Sequence, residues 1–139
     1  MQYWLFKSEP NTWSWSNQLD RGDKGEHWDG VRNYQAAKNM KSMKIGDLGF
    51  FYHSVNEKQI VGIVEVIKQY YPDHTDPKGI FGMVDIKAIK SINKKITLKE
   101  IKENEKLKDM KLVKQSRLSV SPVTTNEWKI ILKMSNTDL

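Results

Sequence analysis

LGFFYHSVNEKQIVGIVEVIKQYY (residues 48–71) predicts two β-strands joined by a short loop. The first strand, Leu48–Tyr52, leads into His53 and Ser54, and the second, Ile60–Tyr71, is rich in β-branched residues that mostly alternate with polar ones. Residues 55–58 between them have the length of a hairpin loop. We therefore expect an antiparallel hairpin in this part of the chain.

Further strands are predicted on both sides of this hairpin. Residues 1–7 are rich in aromatic side chains and are followed by Pro10, which ends the strand. Residues 83–92 alternate cleanly between apolar and polar side chains after a proline- and glycine-containing loop over residues 72–82. Residues 117–120 form a short strand candidate that stops at Pro122.

Four short helices are predicted between these strands. Ser14 or Thr12 caps a helix that runs to about Asp20, and residues 32–43 have amphipathic helical spacing. Capping boxes over residues 97–100 and 124–127 begin helices near 98–103 and 125–134. Because strands and helices mix without βαβ alternation, we expect an α+β fold: one domain over residues 1–139, with a small antiparallel-rich barrel or sheet and flanking helices.

The composition excludes several classes of protein. The chain of 139 residues has no cysteine, so disulfide frameworks, thiolate zinc sites and cysteine nucleophiles are absent. No apolar run approaches the length of a membrane span, and Lys7 and Glu9 near the start are unlike a signal peptide. We expect a soluble cytoplasmic protein that has no contact with membranes.

The formal net charge of +6 has two interpretations. A basic domain can carry an electrostatic footprint for nucleic acid, but lysine-rich composition also keeps proteins soluble. The lysines between residues 87 and 114 are interleaved with acidic residues. Arginine is the usual residue for bidentate phosphate or base recognition, so the positions of Arg21, Arg32 and Arg117 matter more than the total charge.

The sequence does not support catalysis. No nucleophile elbow, zinc-protease, P-loop or dinucleotide-binding motif occurs, and the three histidines lie at no metal-ligand spacing. A Lys7–Ser8 dyad or a Glu9–Asp29 pair can be drawn, but a serine after a strand is more often a turn residue. We therefore expect no metal and no cofactor.

Residues 27–34, HWDGVRNY, are better suited to binding. Trp28 and Tyr34 stand around Gly30 at a junction between a loop and a helix, where free backbone N–H groups can hold the polar edges of a ligand. A tryptophan in such a loop can stack on a nucleobase and is then partly exposed to solvent. The alternative interpretation is that both aromatic residues belong to the core.

Eight segments of the sequence, in order along nearly the whole chain, resemble the EVE domain family. They are YWLFKSEP (3–10), W-x-GVRNYQA (28–36), MKIGD (43–47), FYHS (51–54), IVGIVEV (60–66), MVDI (83–86), LSVSPVT (118–124) and EW (127–128). The resemblance implies a PUA-like superfold, a small mixed β-barrel with flanking short helices. Related YTH domains bind N6-methyladenine, and EVE domains look like readers of modified bases such as 5-methylcytosine derivatives.

The resemblance also implies a site that takes a modified base flipped out of the helix of DNA or RNA. Trp28 is the expected stacking wall, and Ser8 and Glu9 close the opposite side, where they can read exocyclic amines. The other implied contacts are a floor of Gly30, Val31, Asn33 and Tyr34, a strand edge of Tyr52, His53 and Ser54, and backbone or carbonyl contacts from Arg32, Arg117 and Ser119. The implied partner is modified nucleic acid, bound by a monomer.

Two departures from the family pattern concern this site. The family usually has a longer loop after YYPD and a tryptophan before MVD, where this chain has Ile80-Phe-Gly82. It also often has an arginine within or after NYQA, where this chain has Ala37-Lys38. Two other functions stay open: a base-directed hydrolase with an acid or base near Glu9 or His53, and a protein-interaction module with a vestigial pocket.

Overall fold

A computed structural model describes residues 1–139 and contains one six-stranded mixed sheet with the strand order β2-β5-β4-β3-β1-β6. The strands are β1 (Tyr3–Ser8), β2 (Glu26–His27), β3 (Leu48–His53), β4 (Gln59–Pro72), β5 (Gly82–Thr97) and β6 (Val120–Val123). Strands β1 and β3 are parallel, and all other neighbours are antiparallel. The predicted hairpin of β3 and β4 is confirmed.

Five short α-helices flank the sheet. They are α1 (Trp15–Asp20), α2 (Tyr34–Lys41), α3 (Leu98–Glu103), α4 (Lys111–Lys114) and α5 (Thr125–Met134). The predicted helices near 98–103 and 125–134 are confirmed, and both begin with a complete capping box. Ser14, one of the two cap candidates, caps α1 through a capping box with Asn17. None of the helices has the length and apolarity needed to cross a membrane.

Both faces of the sheet are buried, which explains the continuous apolar run over residues 3–6. In β1, Trp4 and Phe6 belong to one hydrophobic cluster, whereas Leu5 between them belongs to a second cluster. Helices α1 and α2 cover the first cluster, and α3, α4 and α5 cover the second. The expected α+β, PUA-like class is confirmed, although the hydrogen-bonded ladder ends at β2 and β6 instead of closing into a barrel.

Three details differ from the sequence-based prediction. The segment 21–30, for which we predicted neither a helix nor a strand, contains a 3-10 turn at Gly22–Lys24 and the two-residue strand β2, which pairs with β5. The last strand lies three residues further on and includes Pro122, which an edge strand tolerates because one side of it makes no ladder hydrogen bonds. Strand β5 continues to Thr97, because Ile96 returns to the core after three exposed residues.

Candidate functional site

A cavity of about 400 Å³ opens between the end of β1, the segment that follows β2 and the residue before β6. This volume lies within the range of about 300–1,000 Å³ that is usual for small-molecule sites. The lining residues are Lys7, Ser8, Glu9, Thr12, Trp13, Glu26, His27, Trp28, Asp29, Gly30, Val31, Arg32 and Ser119. Most of them are polar or charged, with both signs represented.

The structure brings seven of the predicted site residues together at this cavity. They are Ser8, Glu9, Trp28, Gly30, Val31, Arg32 and Ser119. The six that do not line it are Asn33, Tyr34, Tyr52, His53, Ser54 and Arg117.

The predicted strand edge lies outside the cavity because its side chains hold the fold together. The Tyr52 side chain belongs to the second hydrophobic cluster, and burial raises its pKa to about 12. The buried His53 ring accepts the Trp15 backbone N–H at Nε2 (2.9 Å) and donates from Nδ1 to Glu57 Oε1 (3.1 Å). Ser54 donates its backbone N–H to the carbonyl of Ser8 (2.9 Å). Of the two positions named for the hydrolase alternative, only Glu9 therefore lines the cavity.

Other predicted residues also lie beyond the lining. Asn33 caps α2 by accepting the backbone N–H of Ala36 at 2.9 Å. Tyr34, at the first position of α2, is 72% exposed. Arg117 is exposed two residues before Ser119, and its side chain makes no ion pair or hydrogen bond.

Trp28 is both a core residue and a wall of the cavity. It is only 7% exposed and packs edge-to-face against Phe6 and Phe51, with ring centroids 5.4 and 5.7 Å away. This corrects the expectation of a wall that is partly open to solvent, because two neighbouring strands press aromatic side chains against the indole. The part of Trp28 that remains accessible borders the cavity.

The indole N–H of Trp28 makes no hydrogen bond within the protein and is not fully buried. The corresponding groups of Trp4, Trp13 and Trp15 donate to side chains, whereas those of Trp28 and Trp128 have no acceptor in the protein. No buried side-chain nitrogen or oxygen lacks a partner. The Trp28 N–H therefore reaches an accessible surface, as expected of a donor at the edge of a cavity.

Trp13 is a second aromatic wall that the sequence did not single out. It is half-buried, and its indole N–H donates to Gln18 Oε1 (2.9 Å). Gln18 in turn donates to the carbonyl of Ile86 (3.1 Å), which fixes the ring's position. Its sequence signal is weak, because an aromatic residue after Pro10 is equally compatible with a core role. Lys7, Thr12, Glu26, His27 and Asp29 were also missed as lining residues.

A buried carboxylate fixes one side of the cavity. Asp73 accepts hydrogen bonds from the Gly30 backbone (2.8 Å), Arg32 Nη1 (3.0 Å) and Thr75. Burial opposes ionisation of Asp73, but the hydrogen bonds from Thr75, Gly30 and Arg32 outweigh it and hold its pKa well below the ordinary value. The ionised Asp73 thus ties the segment after β2 to the loop between β4 and β5.

A polar cluster around His27, a lining residue, adjoins the cavity. Asp85 contacts His27 Nδ1 (3.1 Å) and accepts the hydroxyl of Tyr71, and the His27 ring is half-exposed. Burial and the hydrogen bond to Asp85 raise the pKa of Tyr71. The phenol therefore stays neutral and holds one edge of His27, which leaves the other edge of the ring free.

The sequence pattern of the EVE domain matches residues 2–134. The chain belongs to the EVE domain family. Within this family, the chain is 36% identical to thymocyte nuclear protein 1 of Mus musculus, over 98% of this chain and 74% of the relative.

Solved structures with similar sequences have the same fold as this EVE domain. A protein from Rhodopseudomonas palustris is 51% identical and has a TM-score of 0.93, covering 98% of this chain and 94% of that one. Human THYN1, solved in complex with DNA that contains 5-methylcytosine, is 30% identical with a TM-score of 0.92, and the match covers both chains completely. A YTH domain from Zygosaccharomyces rouxii shares the fold at 16% identity, with a TM-score of 0.59.

Proposed function

We propose that this EVE domain binds nucleic acid that carries a modified base and holds that base, flipped out of its stack, in the Trp13–Trp28 cavity. The observation that carries the proposal is a cavity with two indoles in a chain whose full length aligns with human THYN1, which was solved with 5-methylcytosine DNA. Enclosing a whole base requires its removal from the stack, at a cost of a few kcal/mol.

The lining has the chemistry that a flipped base needs. Trp13 and Trp28 offer apolar surface for the ring, and stacking on an aromatic side chain stabilises a bound base by about 1–3 kcal/mol. The free N–H of Trp28 can donate to a base carbonyl or ring nitrogen. The Glu9 carboxylate can accept from an exocyclic amine, which favours cytosine or adenine derivatives.

Cations near the opening can hold the sugar–phosphate backbone. Lys7 and Arg32 line the cavity, and Arg117 is exposed close to its rim. The Lys7 ammonium donates to the carbonyl of Ser116 (2.6 Å), and burial lowers its pKa. One chain offers one such opening, so we propose that residues 1–139 act as a single domain and a monomer. The cytoplasmic location stays a prediction.

The proposal is tested with a panel of short DNA and RNA oligonucleotides that carry 5-methylcytosine, its oxidised derivatives or N6-methyladenine. We expect at least one modified oligonucleotide to bind roughly tenfold or more tightly than its unmodified counterpart, which corresponds to about 1.4 kcal/mol. Equal affinity for every modified and unmodified pair would contradict the proposal. Recovery of the intact base after incubation separates binding from hydrolysis, since a hydrolase would release an altered base.

A further inference from the structure

Tyr34, which is exposed, and Phe81, which is half-buried, form an aromatic pair beside the cavity that the base pocket does not use. The two rings lie 5.0 Å apart with an interplanar angle of 43°, and Tyr34 is 72% exposed. The neighbouring Ile80 is 51% exposed. Tyr34 and Ile80 add little to the core, because most of their apolar surface remains in contact with water.

Local hydrogen bonds fix the backbone that carries both rings. Tyr34 occupies the first position of α2, directly after the Asn33 cap. The loop that carries Phe81 is folded around Asp76, whose Oδ2 accepts the backbone N–H groups of Phe81 (2.8 Å) and Ile80 (2.9 Å). Phe81 also accepts the backbone N–H of Asp73 at its carbonyl (3.1 Å). An aromatic side chain on a fixed backbone has only two side-chain torsions to order, so it loses little conformational entropy when it binds a ligand.

Arg32 links this aromatic pair to the cavity. It lines the cavity, and its guanidinium carbon lies 5.9 Å from the centre of the Phe81 ring. Hydrogen bonds to Asp73 and Thr75, both at 3.0 Å, hold the guanidinium in place. A strand of nucleic acid that delivers a base to the cavity would therefore pass a cation and then an open aromatic face.

We infer that the Tyr34–Phe81 pair is a second base-binding site, which stacks on the nucleobase next to the flipped one in the same strand. The inference rests on the proposed function. Aromatic stacking accepts any base because every base has a π-face, so this site would add affinity without sequence preference. It assigns to Tyr34 a role outside the pocket, in contrast to the pocket floor expected from the family resemblance.

The test combines a change in the protein with a change in the ligand. Short single-stranded DNA with a central modified base, chosen from the panel above, is compared with versions in which the residue on its 5′ or 3′ side is abasic. With the unaltered protein, we expect one of the two abasic versions to bind about 5- to 150-fold more weakly. Tyr34→Ala should weaken binding of the intact DNA by a similar factor. This variant should bind that abasic version as tightly as it binds the intact DNA.

Several outcomes of this experiment are decisive. Tyr34→Phe should keep most of the affinity, and Tyr34→Gln should behave like Tyr34→Ala, since neither polar nor small residues offer a stacking face. Equal abasic losses in the unaltered protein and in Tyr34→Ala, or full affinity of Tyr34→Ala, would overturn the inference while leaving the pocket intact. Failure of the unaltered protein to distinguish modified from unmodified DNA would instead overturn the proposed function and this inference together.

Discussion

Asp73 is the residue whose charge matters most for the shape of the site. Its fully buried carboxylate accepts hydrogen bonds from Gly30, Arg32 and Thr75. Asp73→Asn replaces an acceptor with an amide that cannot satisfy all of these donors, so we expect a loss of about 1–3 kcal/mol in the free energy of unfolding. Denaturant titration measures this loss, and Asp20→Asn, at an exposed position, is the control.

The same residue predicts a dependence of stability on pH. The pKa of Asp73 is lower in the folded protein than the value of about 3.9 in an unfolded chain. Its stabilising contribution is therefore complete well above pH 3.9 and is lost as the pH falls from about 5 toward the folded pKa. We expect the difference in stability between the unaltered protein and Asp73→Asn to shrink over this range. If this difference in stability grew as the pH fell, it would contradict the conclusion that the ionised form of Asp73 stabilises the fold.

Trp28→Ala should destabilise the fold strongly. The indole packs between Phe6 and Phe51 and is only 7% exposed, so its removal leaves a cavity in the core. We expect a loss of about 3–5 kcal/mol in the free energy of unfolding, and a smaller loss for Trp28→Phe. A loss below about 1 kcal/mol would mean that the ring contributes to the pocket alone. Trp13 is half-buried and is consequently the better position for tests of binding.

At the scale of elements, the Trp15 side chain of α1 packs closely against Gly62 of β4. The Trp15 indole lies directly over Gly62, and a Cβ at that position would overlap the ring. We expect Gly62→Ala to lower the free energy of unfolding by about 1–3 kcal/mol through overpacking. The double variant Gly62→Ala with Trp15→Phe should lose less than the sum of the two single variants, because the smaller ring vacates the space. If the loss in the double variant equalled the sum of the two single losses, the close contact between Trp15 and Gly62 would be contradicted.

The elements also show which features the sequence can predict. The boundaries of α3 and α5 were predictable because a capping box acts within four neighbouring residues. Strand β2 was not, since two residues form a strand only where β5 supplies a partner. The position of β6 likewise depends on its pairing with β1.

The same distinction between local and distant contacts applies to the site. Trp28 and Gly30–Arg32 were identified because they form one continuous motif that the family resemblance covers. Asp73, 41 residues from Arg32 in sequence, was not identified, because only the fold brings the two together. His53 was misplaced for a related reason: a histidine at the end of a strand can face a cavity or the core, and its hydrogen bond from Trp15 decides between them.

For the whole molecule, the charge distribution predicts a modest dependence of binding on salt. The cations near the opening are Lys7, Arg32 and Arg117, whereas the lysines of α3 and α4 lie over the second hydrophobic cluster. We expect the logarithm of the binding constant to fall with the logarithm of the salt concentration. The slope should correspond to about two to four phosphates, each contributing about 0.7–0.9. Arg117→Ala should reduce the slope by about one phosphate, and Lys102→Ala should leave it unchanged. A slope near zero would argue against nucleic acid, and one above about six would implicate the lysines.

The central claim is that the Trp13–Trp28 cavity holds the modified base, and one titration tests it most directly. Affinities for a modified oligonucleotide and its unmodified counterpart are measured with the unaltered protein and with Trp13→Ala, after thermal unfolding has shown that the variant is folded. The account predicts that Trp13→Ala weakens binding of the modified oligonucleotide about 5- to 150-fold and removes most of the preference for the modification. A folded Trp13→Ala that keeps both the affinity and the preference would contradict it.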